Sequence, residues 1–413
     1  MAYRPHRMKF GIFMAPFHRV GENPTLALKR DMRLIEHLDY LGFDEVWIGE
    51  HHSYAREIIA DPMIFIAAAA ERTKRIRLGT GVTSLPYHHP FMVADRVLQL
   101  DHMTEGRAML GCGPGVLTSD AYMMGIDPLT QRQRMNESLD AIMQLLRSRE
   151  PVSMETEWFT LRDARLQMAN YTDPHPHVAV AASFTPAGPM AAGKHGIGLL
   201  SVAGASHEAF ERTWGWTEEA AAESGQAVSR ADWKVVIPVH LADSKEEAIA
   251  DVREGYKRQA YVGDRLDVDG NAAPPPFAGG AGSVEEAIER NGVIVGTPDD
   301  AVAAIEQIQE RSGGIGGLLG LAHEWASTEK THRSYELWAR YVMPRFQGQL
   351  DVLEDNRNWI EGHLEKVFAR TAAAQVKAFS DAGKELPKEV KEAMDRMRRA
   401  REGAAQQQGP EQG

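Results

Sequence analysis

Short apolar runs that alternate with amphipathic stretches set the narrowest limit on what this chain can become. The first run is Lys9–Ala15, closed by Pro16. "ENPTLALKRDMRLIEHLDYLG" follows, with Asn23 placed to cap a helix, Pro24 suited to its first turn and Gly42 placed to stop it. Within it Leu28, Met32 and Ile35, and again Leu34, Leu38 and Leu41, keep helical spacing. The alternation then repeats: "DEVWIG" as a strand, a helix capped by Asp61, "IRLGTGV" as a strand, "PFMVADRVLQLDHMTEG" as a helix and "RAMLGCG" as a strand. Further strands are expected at about 177–182, 197–202, 234–240 and 315–321. Helices are expected at about 131–148, from 186, and at 206–223, 244–259, 299–311 and 329–343. The strands lack a clean period of two, as strands buried on both faces do. Eight such units predict an α/β fold of the closed (β/α)8 TIM-barrel type. The alternative is a doubly wound open sheet, but no G-x-G-x-x-G follows the first strand to mark a dinucleotide site there.

Two segments fall outside that alternation. "YVGDRLDVDGNAAPPPFAGGAGS", 261–283, is rich in Gly, Pro and Asp, is expected to form no regular element, and is long for a loop. It lies between the seventh and eighth strands, where it reads either as an active-site lid or as a disordered insertion. The barrel is thus expected over 1–348, followed by a charged helical extension over 349–413 with a frayed end. Ile360, Leu364 and Val367 mark an apolar stripe on that extension, suited to packing on the barrel or on a neighbouring subunit. A homo-oligomer, dimer or tetramer, is the expectation.

A formal net charge of −12 argues against nucleic acid as a main partner, because phosphate binding needs clustered Lys and Arg. The single cysteine, Cys112, excludes an intramolecular disulfide framework and any cysteine-rich metal site. Apolar runs long enough for a membrane span are missing, and the basic start "MAYRPHRMKFGIF" has too short an apolar part for a signal peptide. A cytoplasmic location is the default expectation.

In a barrel of this kind chemistry sits at the carboxyl ends of the strands. Glu50, His51 and His52 fall at the exit of the second strand. Thr80, Gly81, Val82, Thr83 and Ser84 fall at the exit of the third, followed by His88 and His89. Gly111, Gly113 and Gly115 lie at the exit of the fourth strand, and Ser183 and Thr185 at that of the fifth. A histidine pair there can hold loop backbone, bind metal or move protons. Adjacent histidines in extended backbone diverge, which disfavours one ion held by both His51 and His52. The glycines either serve their turns or let a flat ligand approach the backbone. "SFTPAGP" brings hydroxyls and free N–H groups to a helix start, a seat for phosphate. Phe13, Met14, Phe17, Trp47 and Tyr87 can line an apolar pocket or simply fill the core.

Taken as a set, "FGIFMAPF", "GFDEVWIGEHHS", "RIRLGTGVTSLPYHHPFMVADRVLQLDHMTEGRAMLGCGPG" and "ASFTPAGPMAAGKHGIGLL" resemble the bacterial luciferase-like, flavin-dependent monooxygenases. The likeness is strongest to the branch that holds limonene 1,2-monooxygenase and alkanal monooxygenase. It implies a (β/α)8 barrel that takes reduced FMN from a separate flavin reductase, reacts with O₂ through a C4a-peroxyflavin and oxygenates a small hydrophobic substrate such as a terpene, aldehyde or ketone. By position in the motif His51 matches the family's catalytic histidine, with Glu50 to orient it or His52, and His89 matches a second histidine near the pocket. The resemblance lays Thr80, Gly81 and Val82 along the flavin ring and places Gly113, Ser183, Thr185, Ala187 and Gly188 about the cofactor, the last residues at its phosphate. No metal is implied. The chain departs from the pattern at Pro114, where luciferase α chains carry a phosphate-binding arginine. Cys112 is one position off their reactive cysteine and reads as a buried thiol. Alternatives are an F420-dependent oxidoreductase of the same barrel, a non-catalytic flavin-binding barrel subunit, and a metal-dependent hydrolase.

Overall fold

The eight expected runs become parallel strands of one closed cylinder. A computed structural model describes residues 3–15, 18–53, 55, 57–182, 185–202, 206–266 and 282–396. The strands are β1 (Lys9–Met14), β2 (Glu45–Ile48), β3 (Arg77–Thr80), β4 (Ala108–Gly113), β5 (His177–Ala182), β6 (Gly198–Val202), β7 (Trp233–Leu241) and β8 (Gly317–Leu321). Each pairs in parallel with the next. β8 pairs back onto β1, with Lys9 opposite Gly317 and Phe13 opposite Leu321. No barrel strand is left with an open edge, which removes the doubly wound alternative.

The helices are α1 (Pro24–Leu41), α2 (Pro62–Ala70), α3 (Pro90–Met103), α4 (Thr118–Met123), α5 (Gln131–Arg147), α6 (Ala187–His195), α7 (His207–Glu223), α8 (Lys245–Leu266), α9 (Val284–Glu289), α10 (Pro298–Ser312), α11 (Thr328–Leu337) and α12 (Asp351–Asp381). Local chemistry fixes several ends. Asn23 and Asp61 accept the first amides of α1 and α2. Gly42 closes α1 with φ of 85°, a left-handed value that suits glycine. The core between strands and helices is built from Phe10, Ile12, Val46, Ile48, Leu78, Leu110 and their neighbours, all essentially buried.

The segment 261–283 departs from expectation at its start. α8 continues through Tyr261–Leu266, so the helix propagates past Gly263, where residue preference is too weak to stop it. Residues 267–281, most of the expected lid, lie outside the described residues. Two further short elements follow: α9, and a strand Ile294–Gly296 that pairs with the end of β7. A hairpin, Val152–Glu155 with Thr160–Ala164, is inserted after α5. The chain divides into two compact units, Met1–Gly348 and Gln349–Gly413. In the second, α12 exposes Leu353, Trp359, Ile360, Leu364 and Val367.

Inside the cylinder the indole of Trp47 is fully buried. Three glycines make room for it. A methyl group on Gly79 would meet its ring at 2.7 Å, one on Gly81 would meet its Cβ at 2.7 Å, and one on Gly111 would meet the ring at 3.2 Å. Toward the strand starts lies a buried charged layer. There Lys234 Nζ is 3.9 Å from Glu45 Oε1, 3.3 Å from His177 Nε2 and 5.6 Å from the Trp47 ring. Toward the strand ends lie Phe13, Ala15, Val82, Leu321 and the site described next.

Candidate active site

β2 delivers Glu50, His51 and His52 to the strand-exit rim, and the two imidazoles part there. His51 Nδ1 is 3.0 Å from Asp120 Oδ2 at the start of α4. The other oxygen of Asp120 accepts the backbone N–H of His52 at 3.2 Å and the hydroxyl of Ser53, which also meets Ser119 at 2.7 Å. Burial pushes the Asp120 carboxyl up, but the Ser53 hydroxyl, His51 and the His52 amide outweigh it and hold the group below its ordinary value. An ionised Asp120 fixes the proton of His51 on Nδ1 and leaves Nε2 as the working nitrogen.

His52 turns the other way. Its Nε2 lies 3.0 Å from Glu50 Oε1, and His88 Nε2 lies 2.8 Å from the same oxygen. Oε2 of Glu50 accepts the Ser84 amide at 3.2 Å. Burial raises the Glu50 carboxyl, and the two imidazoles and the amide more than reverse that, so it stays ionised. The hydrogen bond to Glu50 holds His52 above its ordinary value. Glu50 therefore orients His52 and His88, and has no hydrogen bond to His51.

Further around the rim, Tyr87 is half-buried and its hydroxyl accepts from Gln131 at 3.1 Å. Burial, with the charge of Asp120, pushes the phenol up to about 12, so it stays protonated. Thr80 locks β3 to β4 by donating to Gly111 O at 2.9 Å and accepting from Gly111 N at 3.0 Å. The Gly81–Val82 peptide that follows is cis. At the exit of β5, α6 starts at Ala187 after Pro186, whose side chain cannot cap its first amides, and Thr185 beside it is exposed. A cleft of about 810 Å³ opens at the β8 side, lined among others by Arg19, Arg30, Asp31, His323, Trp325 and Tyr335.

The family model for luciferase-like monooxygenase matches residues 8–314. The chain belongs to the luciferase-like monooxygenases. It is 44% identical over 374 residues to 4-hydroxyprotoasukamycin monooxygenase of Streptomyces nodosus subsp. asukaensis, covering 89% of this chain and 100% of that one. It is 46% identical over 350 residues to limonene 1,2-monooxygenase of Rhodococcus erythropolis, covering 83% and 88%. Among solved structures, the oxygenating constituent of 3,6-diketocamphane monooxygenase from Pseudomonas putida, in complex with FMN, superposes with a TM-score of 0.69 at 26% identity, covering 82% of this chain and 98% of that one.

This luciferase-like monooxygenase does not gather every residue singled out from its sequence. His89 is exposed, its ring edge-on to Phe159 of the hairpin at 5.9 Å, and it takes no part in the His51 cluster; His88 is the histidine that turns inward. At Gly113 and Gly188 the protein's own packing leaves no room for a side chain. A methyl on Gly113 would meet Val82 Cγ2 at 2.5 Å, and one on Gly188 would collide with the Ala181 carbonyl. Pro114 offers its carbonyl to Gln131 at 2.9 Å. Cys112 is buried, and burial pushes its thiol up. Ser183 and Phe17 lie outside the described residues. Asp120 and Glu57 are the residues that sequence reasoning missed. No spacing relative to His51 betrays Asp120; the available signal is a carboxylate past the fourth strand, two strands around the rim from the second. Among the described residues there is no cluster of three His, Cys, Asp or Glu side chains fit to hold a metal ion. Nor is any helix long and apolar enough to cross a membrane.

Proposed function

We propose that the chain is an FMNH₂-dependent monooxygenase that oxygenates a small hydrophobic substrate and receives reduced flavin from a separate reductase. The observation that carries this reading is the oriented His51–Asp120 pair at the strand-exit mouth, 14% and 1% exposed. Reduced FMN would supply the electrons that split O₂, one atom entering the substrate and the other leaving as water. The uncapped start of α6 fits a phosphate: Ala187 and Gly188 would offer amides and Thr185 a hydroxyl, in place of the arginine that Pro114 lacks. Thr80, Gly81, Val82 and Gly113 would border the ring.

The chain's own residues then have separable tasks. Asp120 holds the tautomer of His51, whose Nε2 can give or take a proton at the mouth. Glu50 fixes His52 and His88 and so keeps the β2 and β3 exits together. Phe13, Val82 and Leu321 make the inner wall apolar, which excludes water from the reaction. The limonene and diketocamphane enzymes support a hydrophobic substrate by their names alone.

The decisive experiment mixes the protein with reduced FMN, O₂ and a panel of terpenes, aldehydes and ketones, and counts product against O₂ consumed. Oxygenated product coupled to O₂ supports the reading. Reduction of a carbonyl by reduced F420, with O₂ untouched, would replace it with hydride transfer on the same barrel.

A further inference from the structure

Asp120 occupies one nitrogen of His51, and the other faces a second carboxyl group. Glu57 Oε2 lies 3.5 Å from His51 Nε2, and both side chains are 14% exposed. That oxygen is buried and has no hydrogen-bond partner among the described residues. The fold brings it there deliberately in one respect: a methyl on Gly49 would sit 3.3 Å from it, so a residue without a side chain at the end of β2 lets the carboxyl reach the ring. Resting on the proposed monooxygenase reading, we propose that Glu57 is a positioning residue that shares a proton with Nε2 of His51, so that the imidazole works between one carboxylate and one carboxylic acid.

The chemistry of the two acids differs because their surroundings do. Asp120 accepts two hydrogen bonds on one oxygen and an imidazole on the other. Glu57 has only the edge of His51. With Oε2 buried and unpartnered among the described residues, ionising the group is costly, which favours its protonated form. Burial pushes the Glu57 carboxyl up, His51 and His18 pull it partly back, and Asp120 adds to the rise. His18 is itself held by Asp31, at 2.7 Å from Nε2, while its Nδ1 faces the Ile58 amide at 3.4 Å. Among the described residues, the charged and titratable groups around the pair are therefore Asp120 from α4, His18 with Asp31 of α1, and beyond them Glu50 with His52 and His88. Two acids pushed apart in this way around one base mark a proton-transfer unit. In the step, the proton leaves Glu57 Oε2 for Nε2, giving an imidazolium between two carboxylates. When Nε2 passes that proton to an acceptor at the mouth, Glu57 remains ionised until water returns one.

The test uses the apoprotein. Ring nitrogens of His51 are followed by NMR in ¹⁵N-histidine-labelled protein from about pH 5 to about pH 9, with His51→Asn to assign them. Coupled groups titrate as a pair, so the wild-type His51 signal should move in two steps. Glu57→Gln should leave one step, and Glu57→Asp should restore two. Unchanged signals from His102 and His195, which have partners outside this cluster, report an intact fold. Superimposable wild-type and Glu57→Gln curves overturn the proposal. Because no flavin is needed, a two-step curve in a protein that fails to bind reduced FMN would sink the monooxygenase reading and leave the shared proton standing. In turnover, Glu57→Gln should lower kcat about tenfold and flatten one limb of its pH profile, with FMN affinity unchanged.

Discussion

His51 Nδ1 and Asp120 Oδ2 lie 3.0 Å apart across 69 residues of sequence. The contact exists because the second and fourth strands of the barrel empty onto the same rim. Asp120→Asn keeps the size of the side chain and removes its charge. Oxygenation by the variant should fall about a hundredfold, since an unoriented imidazole loses most of its value as an acid–base group. Reduced FMN should bind within a factor of about two, because the carboxylate serves the ring of His51 rather than the cofactor. Stopped-flow turnover and flavin titration check the two halves separately.

His51→Ala should uncouple the enzyme. O₂ consumption continues, product falls and hydrogen peroxide rises in its place, as measured by product and peroxide assays on one reaction. Unchanged product per O₂ would remove His51 from the chemistry.

Glu50 sets a pH window for stability. Its carboxyl is held below its ordinary value, so its contribution is present above that value and lost as pH falls through the folded one. His52 is held above its ordinary value, so its share is present below it and lost as pH rises through the folded one. The pair therefore stabilises most between the two limits. Glu50→Gln should cost about 2–3 kcal/mol in that window and much less at either extreme, as urea unfolding at several pH values would show.

The phosphate seat has its own signature. Thr185→Ala should weaken FMN more than riboflavin, because only FMN carries the anion that α6 would receive. Equal losses for the two would move the phosphate elsewhere.

Gly113→Ala should force Val82 from its place, because the new methyl would arrive 2.5 Å from Cγ2 and valine cannot swing aside cheaply. The loss should be about 1–3 kcal/mol. Adding Val82→Ala should recover part of it, and strict additivity in the double-mutant cycle would show that the two do not touch.

The barrel was legible because each strand is a short apolar run bounded by turn residues, and eight of them alternate with capped helices. The hairpin around Trp158 was not: Val152–Glu155 and Thr160–Ala164 expose most of their side chains, so no apolar run announces them. α8 overran its expected end because a lone glycine lowers helix preference without being enough to stop a helix already under way. In the site, His51 was legible by the pattern it resembles, and its partners were not. Asp120 and Glu57 gain their meaning only from barrel closure and from the empty space at Gly49. The adjacent pair "HH" at 88 and 89 shows the limit of one-dimensional reading: backbone direction at the start of α3 sends one ring inward and the other out to Phe159.

Trp47 has a consequence of its own. Its indole fills the space that a side chain on Gly79 would need, between the Lys234, Glu45 and His177 layer at one end of the cylinder and the strand-exit mouth at the other. It acts as a stopper in a tube. A filled cylinder leaves the strand-exit rim as the open end, so whatever covers that rim bears on access to His51.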